Sequence, residues 1–445
     1  MVNLLAVAEG VTVDESIVFA GVLLSLVMIY IASKLGGEIS NYLGFPPVLG
    51  ELIGGVIIGI SALKLVVFPE GGATATDSLL MQFLQFTTNS SPEVVGVIFE
   101  ENGEIISILS ELGVFILLFE IGLESNLSEL LKVGTQAVLV AIVGVAVPFA
   151  AGTLGLVYFF HAPVIPAVFA GAALTATSIG ITSRVLAELG QLTSKEGQII
   201  LGAAVVDDVL GIIVLAVVAS LATTGEVDVK EVAIIITSAV GFLLGVLFAG
   251  GLINQAFLSM AGFFKTRGGI IVPALVLAFI LGYIGTVLKL EAILGAFAAG
   301  LVLDDTDKRE DLEKLTKPIA DILVPIFFVV VGARTDLGVL NPAIPANRTG
   351  LIIAAFLIVV AILGKVATGL AVFGQPGINR LAIGVGMIPR GEVGLVFAAV
   401  GTASGTLSQS LDVAIILMVI VTTFLAPPLL RFIFAPAYGE STPSG

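Results

Sequence analysis

Long apolar runs separated by short polar breaks dominate the chain. Thirteen of them read as membrane-crossing helices, at about 17–33, 48–67, 105–123, 135–160, 164–187, 199–222, 231–254, 268–287, 290–303, 315–333, 349–373, 377–403 and 411–434. The bases in the polar breaks test that count. With the N-terminus outside, the inner loops hold Lys34, Lys132, Arg184, Lys195, Lys265, Arg267, Lys308, Arg309, Lys314, Lys317, Arg380 and Arg431. The outer loops hold Lys64, Lys230, Lys289, Arg334 and Arg348. Twelve against five is the bias that cytoplasmic loops carry, and a missed or extra helix would scramble it. The pattern therefore predicts an all-α polytopic membrane protein, N-terminus outside and C-terminus cytoplasmic. Segment 68–104 reads as a long outer loop, acidic through Glu70, Asp77, Glu93, Glu100, Glu101 and Glu104.

Composition narrows the chemistry. Hydrophobic residues are 57% of the 445 and charged residues 12%, which fits an integral membrane protein and not a soluble domain. Cysteine is absent, excluding disulfides and thiolate metal sites. The one histidine, His161, falls in a loop between two helices, so no histidine metal centre is expected, and no cofactor. The net charge of −15 lies mostly in loops, and no basic patch suits nucleic acid. Tryptophan is absent, leaving Tyr and Phe for the interfacial belt. The N-terminal stretch lacks the basic region of a signal peptide, and the few residues after the last helix are expected to hold no regulatory domain.

Against this background two adjacent aspartates stand out. Asp207 and Asp208 lie in the middle of the apolar run 198–222. An acid at the centre of a membrane helix costs about 2.5–3.5 kcal/mol on insertion scales, so two in succession point to ion or proton handling. Neighbours on a helix project about 100° apart, so the two should have separate tasks. One can face a water-filled cavity and bind a cation or proton. The other can face a neighbouring helix and a buried base, and Lys365 is the only lysine deep within a helix. The alternative for an aspartate–Lys365 pair is a permanent salt bridge that holds the protein together. Glu120 is a further intramembrane acid, placed to line the ion path or to hydrogen-bond structurally. Glu51 and Lys64, near the two ends of the second segment, read as structural, Lys64 by snorkelling.

The chain also resembles itself. Leu49-Gly50 followed by Gly55 matches Leu294-Gly295 followed by Gly300, and Gly122 to Leu127 matches Gly332 to Leu337. Segments 2–6 thus correspond to segments 9–13, in opposite orientation. Inverted five-helix repeats are a hallmark of secondary transporters, whose sites lie near the midplane on discontinuous helices. Two breaks are predicted. One is at Thr175-Ala176-Thr177-Ser178, and the other at Pro389-Arg390-Gly391, where Pro389 removes a backbone donor. Thr177 and Ser178 suit cation coordination or ordinary helix-to-helix hydrogen bonding equally. Arg390 and Glu392 are candidates to compensate the half-helix dipoles at one end, and Asp207 at the other.

These residues resemble the monovalent cation:proton antiporter-2 family, and within it the NapA-type sodium/proton antiporters, over nearly the whole chain. The matching motifs are Gly44-Phe45-Pro46-Pro47-Val48-Leu49-Gly50-Glu51, Leu118-Phe119-Glu120-Ile121-Gly122-Leu123-Glu124, the broken helix from Thr175 to Leu186, Asp207-Asp208, Gly364-Lys365 and Pro389 to Glu392. The resemblance implies that Asp208 alternately carries sodium and proton, with Thr177 and the nearby break contributing oxygens to Na+. It implies that Asp207 partners Lys365 and that cation binding disrupts the pair. Relatives with Asn at the position of Asp207 are electroneutral, and Kef-type potassium systems usually have Gln there. Glu120 departs from the apolar residue common at its place.

The expectation is therefore a transporter and not an enzyme: an electrogenic exchanger of cytoplasmic Na+ or Li+ for external H+, moving by an elevator mechanism. It would serve pH homeostasis as a homodimer in the lipid bilayer of a prokaryotic inner membrane. By the resemblance, 1–134 and 257–338 form the dimerisation domain, 135–222 and 339–445 the ion-binding core, and 223–256 a linker helix. Alternatives are a K+/H+ antiporter or a Na+-coupled solute symporter. A passive channel would need a continuous polar pore, for which the polar residues are too few and too clustered.

Overall fold

The computed structural model describes residues 14–224, 226–374 and 376–434, apart from the side chains of Gly71, Thr223, Thr224, Ala346 and Glu392. Every regular element among them is helical. The α-helices are α1 (Glu15–Tyr42), α2 (Pro47–Ile58), α3 (Leu79–Thr88), α4 (Pro92–Glu124), α5 (Leu127–Lys132), α6 (Gly134–Phe160), α7 (Val164–Ala173), α8 (Ile179–Glu188), α9 (Lys195–Thr224), α10 (Val229–Phe263), α11 (Ile271–Val287), α12 (Ala292–Asp304), α13 (Arg309–Ala333), α14 (Pro345–Val366), α15 (Arg380–Gly386), α16 (Glu392–Ala403) and α17 (Gln409–Phe434). Eight of these, α1, α4, α6, α9, α10, α13, α14 and α17, are long and apolar enough to cross a membrane. The chain is therefore an all-helical membrane protein.

Two compact units divide it. The first comprises Met1–Glu120 and Glu310–Val339. Its helices meet through glycine. A Cβ on Gly50 of α2 would collide with the Gly36 carbonyl of α1, and one on Gly332 of α13 would lie 3.0 Å from the Gly55 Cα of α2. Such contacts bring backbones together where lipid offers no hydrophobic drive. Buried polar groups pair between helices as well, the Ser33 hydroxyl of α1 donating to Glu51 of α2 at 3.1 Å and Asn102, within 92–124, to Ser25 of α1 at 3.1 Å.

Here the structure departs from the expected boundaries. Helix α2 stops at Ile58, not near 67, because Gly59 turns extended against the Ala333 carbonyl. Lys64 then sits in a left-handed turn (φ 50°) outside any helix. Segment 68–104 is largely helical. Ser78 caps α3 by accepting the Met81 N–H at 3.3 Å, and Pro92 opens α4. At 33 residues, α4 exceeds a bilayer crossing, and Glu93, Glu100, Glu101 and Glu104 ride on its extension. Arg334 holds the turn after α2 in place, pairing with Glu70 at 3.0 Å and lying 4.7 Å from the centre of the Phe68 ring.

The second unit comprises Ile121–Arg309 and Leu340–Gly445. Gly295 of α12 packs on the α11 backbone at Leu281 and Gly282, and a Cβ on Gly122 would lie 3.0 Å from the Gly300 Cα. Its apolar core includes Leu156, Phe169, Leu357, Phe397 and Met418, which join α6, α7, α14, α16 and α17. Against this core run the two interrupted helices and the aspartate pair.

Candidate functional site

The polar centre of the second unit is built on two breaks. Helix α7 ends at Ala173, and helix α8 starts at Ile179 with Ser178 as its N-cap, the Ser178 hydroxyl accepting the Ile181 N–H. Helix α15 ends at Gly386, and α16 begins at Glu392. Between them Pro389 has no N–H to continue a helix. Gly391 lies so close to Ser178 that a Cβ would come within 2.8 Å of its hydroxyl oxygen.

The two breaks cross and satisfy each other. The Ser178 N–H donates to the Pro389 carbonyl at 2.8 Å. The Thr177 hydroxyl donates to the Met387 carbonyl at 3.2 Å, and Thr182 to that of Gly386 at 3.0 Å. Arg390, fully buried, donates to the carbonyls of both Leu174 and Met387. Those residues are the C-caps of α7 and α15. One guanidinium thus neutralises the negative ends of two half-helices, which a fixed fork of donors does better than an ammonium. The Glu392 side chain, the other candidate for charge compensation, lies outside the described residues.

Helix α9 carries the aspartates past this crossing. Asp207 and Lys365 are both fully buried, and the Lys365 ammonium lies 3.3 Å from each carboxylate oxygen of Asp207. Lys365 occupies the last turn of α14, where a cation opposes the helix dipole. The Thr368 hydroxyl binds the Lys365 carbonyl at 2.6 Å. Room for the ammonium comes from Gly144 of α6, where a Cβ would lie 3.2 Å from the nitrogen. Asp208, one position on, is only partly buried. The helical offset separates their environments, so one acid is locked to a base and the other remains partly accessible.

The second unit therefore contains Asp207, Asp208, Lys365, Arg390, Thr177 and Ser178. Glu120 belongs to the first unit, buried on α4. A mostly apolar cavity of about 300 Å³ between α5, α6, α9, α10 and α12 has Val205 and Val206 in its wall, but neither aspartate. Sequence reasoning missed two residues. Thr182 and Thr423 of α17 each give a hydroxyl to the broken chain, Thr423 to the Arg390 carbonyl. Their only signal is a small polar residue in an apolar helix, which many such helices share.

Comparison with known proteins agrees with this architecture. The family model for the sodium/hydrogen exchanger, transmembrane, matches residues 16–435. The high-affinity Na(+)/H(+) antiporter NhaS3 of Synechocystis is 60% identical over 435 residues, covering 98% of this chain and 94% of that protein. The Na(+)/H(+)-K(+) antiporter GerN of Bacillus cereus is 33% identical, covering 92% of this chain and 95% of its own. Among solved structures, the sodium proton antiporter MjNhaP1 of Methanocaldococcus jannaschii superposes with a TM-score of 0.63 over 95% of this chain and all of its own, at 17% identity. That last likeness speaks for the fold alone.

Proposed function

The chain belongs to the sodium/hydrogen exchanger family, and from that premise we propose that it is an electrogenic antiporter exchanging cytoplasmic Na+ or Li+ for external H+. The observation that carries the reading is the buried Lys365–Asp207 pair at 3.3 Å with partly accessible Asp208 beside it. Asp208 is the carrier, with Thr177 and the α7–α8 break supplying further oxygens to Na+. One carboxylate cannot hold cation and proton together, so the two compete, and competition enforces exchange.

Charge counting supports electrogenicity. Asp207, Asp208, Lys365 and Arg390 sum to zero when all are ionised. With Na+ on Asp208 and the Lys365 proton released, the four groups and the ion again sum to zero. With a proton on Asp208 and Lys365 protonated, the sum is plus one. Carrying two protons one way and one Na+ the other therefore moves one net charge per cycle.

The finer architecture belongs to the same proposal. Eight long helices, the three shorter helices α2, α11 and α12, and the two broken pairs α7–α8 and α15–α16 make up the thirteen spans. The glycine contacts support an inverted repeat. Gly55 meets Gly332 in the first unit and Gly300 meets Gly122 in the second, which exchange when the copies are swapped. Domains bounded as the sequence implies, an elevator motion, a homodimer and an inner-membrane location with the N-terminus outside complete the account.

Proteoliposomes with an imposed Na+ gradient and an internal pH dye test the function. Antiport gives Na+-dependent proton movement. A channel gives Na+ flux without it, and a symporter requires a solute. K+ in place of Na+ tests the second cargo that the name of GerN raises.

A further inference from the structure

Side-chain hydroxyls in membrane helices usually bond back to a carbonyl of their own helix. In the second unit most do: Thr422 bonds to Met418 and Val419, Ser183 to Gly180, and Thr237 to Ala233. Five threonines reach out of their own segments: Thr153 to the Ala167 carbonyl, Thr402 to the Asp412 carboxylate, and Thr177, Thr182 and Thr423, which all end on the chain between Gly386 and Arg390. With Ser178 N–H on Pro389, the carbonyls of Gly386, Met387, Pro389 and Arg390 are each claimed by another element. Thr177 and Thr182 flank the α7–α8 break and belong to the crossing itself. Thr423 does not. It comes from α17, is almost fully buried, and is the one hydroxyl among these that ties the break to a continuous helix.

We propose that Thr423 is a positioning residue for ion exchange, holding the Arg390 backbone in register so that its guanidinium can reach both half-helix ends. The inference rests on the antiport reading. A helix break has few local constraints of its own, because its backbone bonds are not made to the preceding turn. Arg390 spans Leu174 and Met387 only while its own Cα stays in place. Letting go of its carbonyl would let that segment, and with it the Thr177 contact at Met387, drift relative to Asp208. The effect is expected on cation affinity more than on turnover, because Thr423 touches neither cargo.

The test compares Thr423→Val, of nearly the same shape without the hydroxyl, with Thr423→Ser and Thr422→Val in proteoliposomes. For Thr423→Val the half-saturating Na+ concentration rises by about threefold to tenfold with maximal rate within about twofold. Thr423→Ser stays near wild type, and Thr422→Val leaves the half-saturating concentration unchanged. If Thr423→Val does not fold, Thr423→Cys, a weak donor of similar size, takes its place and gives a smaller rise. A folded Val or Cys variant with wild-type half-saturation overturns the proposal, and so does an equal rise in Thr422→Val. Absence of exchange in the wild-type protein would instead refute the antiport reading.

Discussion

Replacing Lys365 by glutamine leaves Asp207 as a buried acid without its partner. Both groups are fully buried, and the ammonium sits 3.3 Å from both oxygens. At that distance the attraction is about 5 kcal/mol for an effective dielectric of about 20. Breaking a buried pair by removing one partner usually costs about 3–5 kcal/mol. Arg390 also acts on Asp207, so Asp207 keeps some compensation and the loss should fall near the lower end, about 3 kcal/mol. Neutralising both partners, Asp207→Asn with Lys365→Gln, removes the orphaned charge as well. Buried pairs exchanged for neutral groups are often about as stable as before. The double variant should therefore recover most of the lost stability. Thermal unfolding in detergent, followed by loss of the folded peak in size exclusion, measures this. Single variants should melt well below wild type, with the double variant between. A double variant no more stable than Lys365→Gln alone would show that the charge pairing is not what Lys365 contributes.

Further outcomes follow from the same geometry. Asp208→Asn should abolish Na+-dependent proton movement while retaining the elution profile and helical circular dichroism of the wild type; full exchange would remove the carrier assignment. Arg390→Met strands the Leu174 carbonyl, while that of Met387 keeps the Thr177 hydroxyl, and at about 1–3 kcal/mol for an orphaned buried acceptor it should cost about 1–3 kcal/mol. A melting temperature equal to wild type would show that the guanidinium is not bracing the two helix ends.

Some of this was legible in the chain. Pro389 among glycines pointed to a break, and a single lysine deep in an apolar run pointed to a buried acid as its natural partner. Other features depend on tertiary contacts. Gly59 ends α2 because Ala333 approaches it, which no local pattern signals. The glutamates of 93–104 resemble loop residues, yet they follow helical backbone past the length of a membrane crossing. Arg390 was a candidate for charge compensation, but that one side chain takes both helix ends depends on where the two breaks cross. Thr423 was invisible, since its neighbour Thr422 has the same chemistry and bonds within its own helix.

Charge movement per Na+ exchanged tests the central claim most directly. In proteoliposomes with no pH gradient, a Na+ gradient of known size and a starting membrane potential that is set but not clamped, a potential-sensitive probe and Na+ flux are read together. The account predicts one net positive charge moving with the protons, opposite to each Na+, and an exchange rate that responds to voltage. Exchange of Na+ for H+ with no charge movement and no voltage dependence would contradict it.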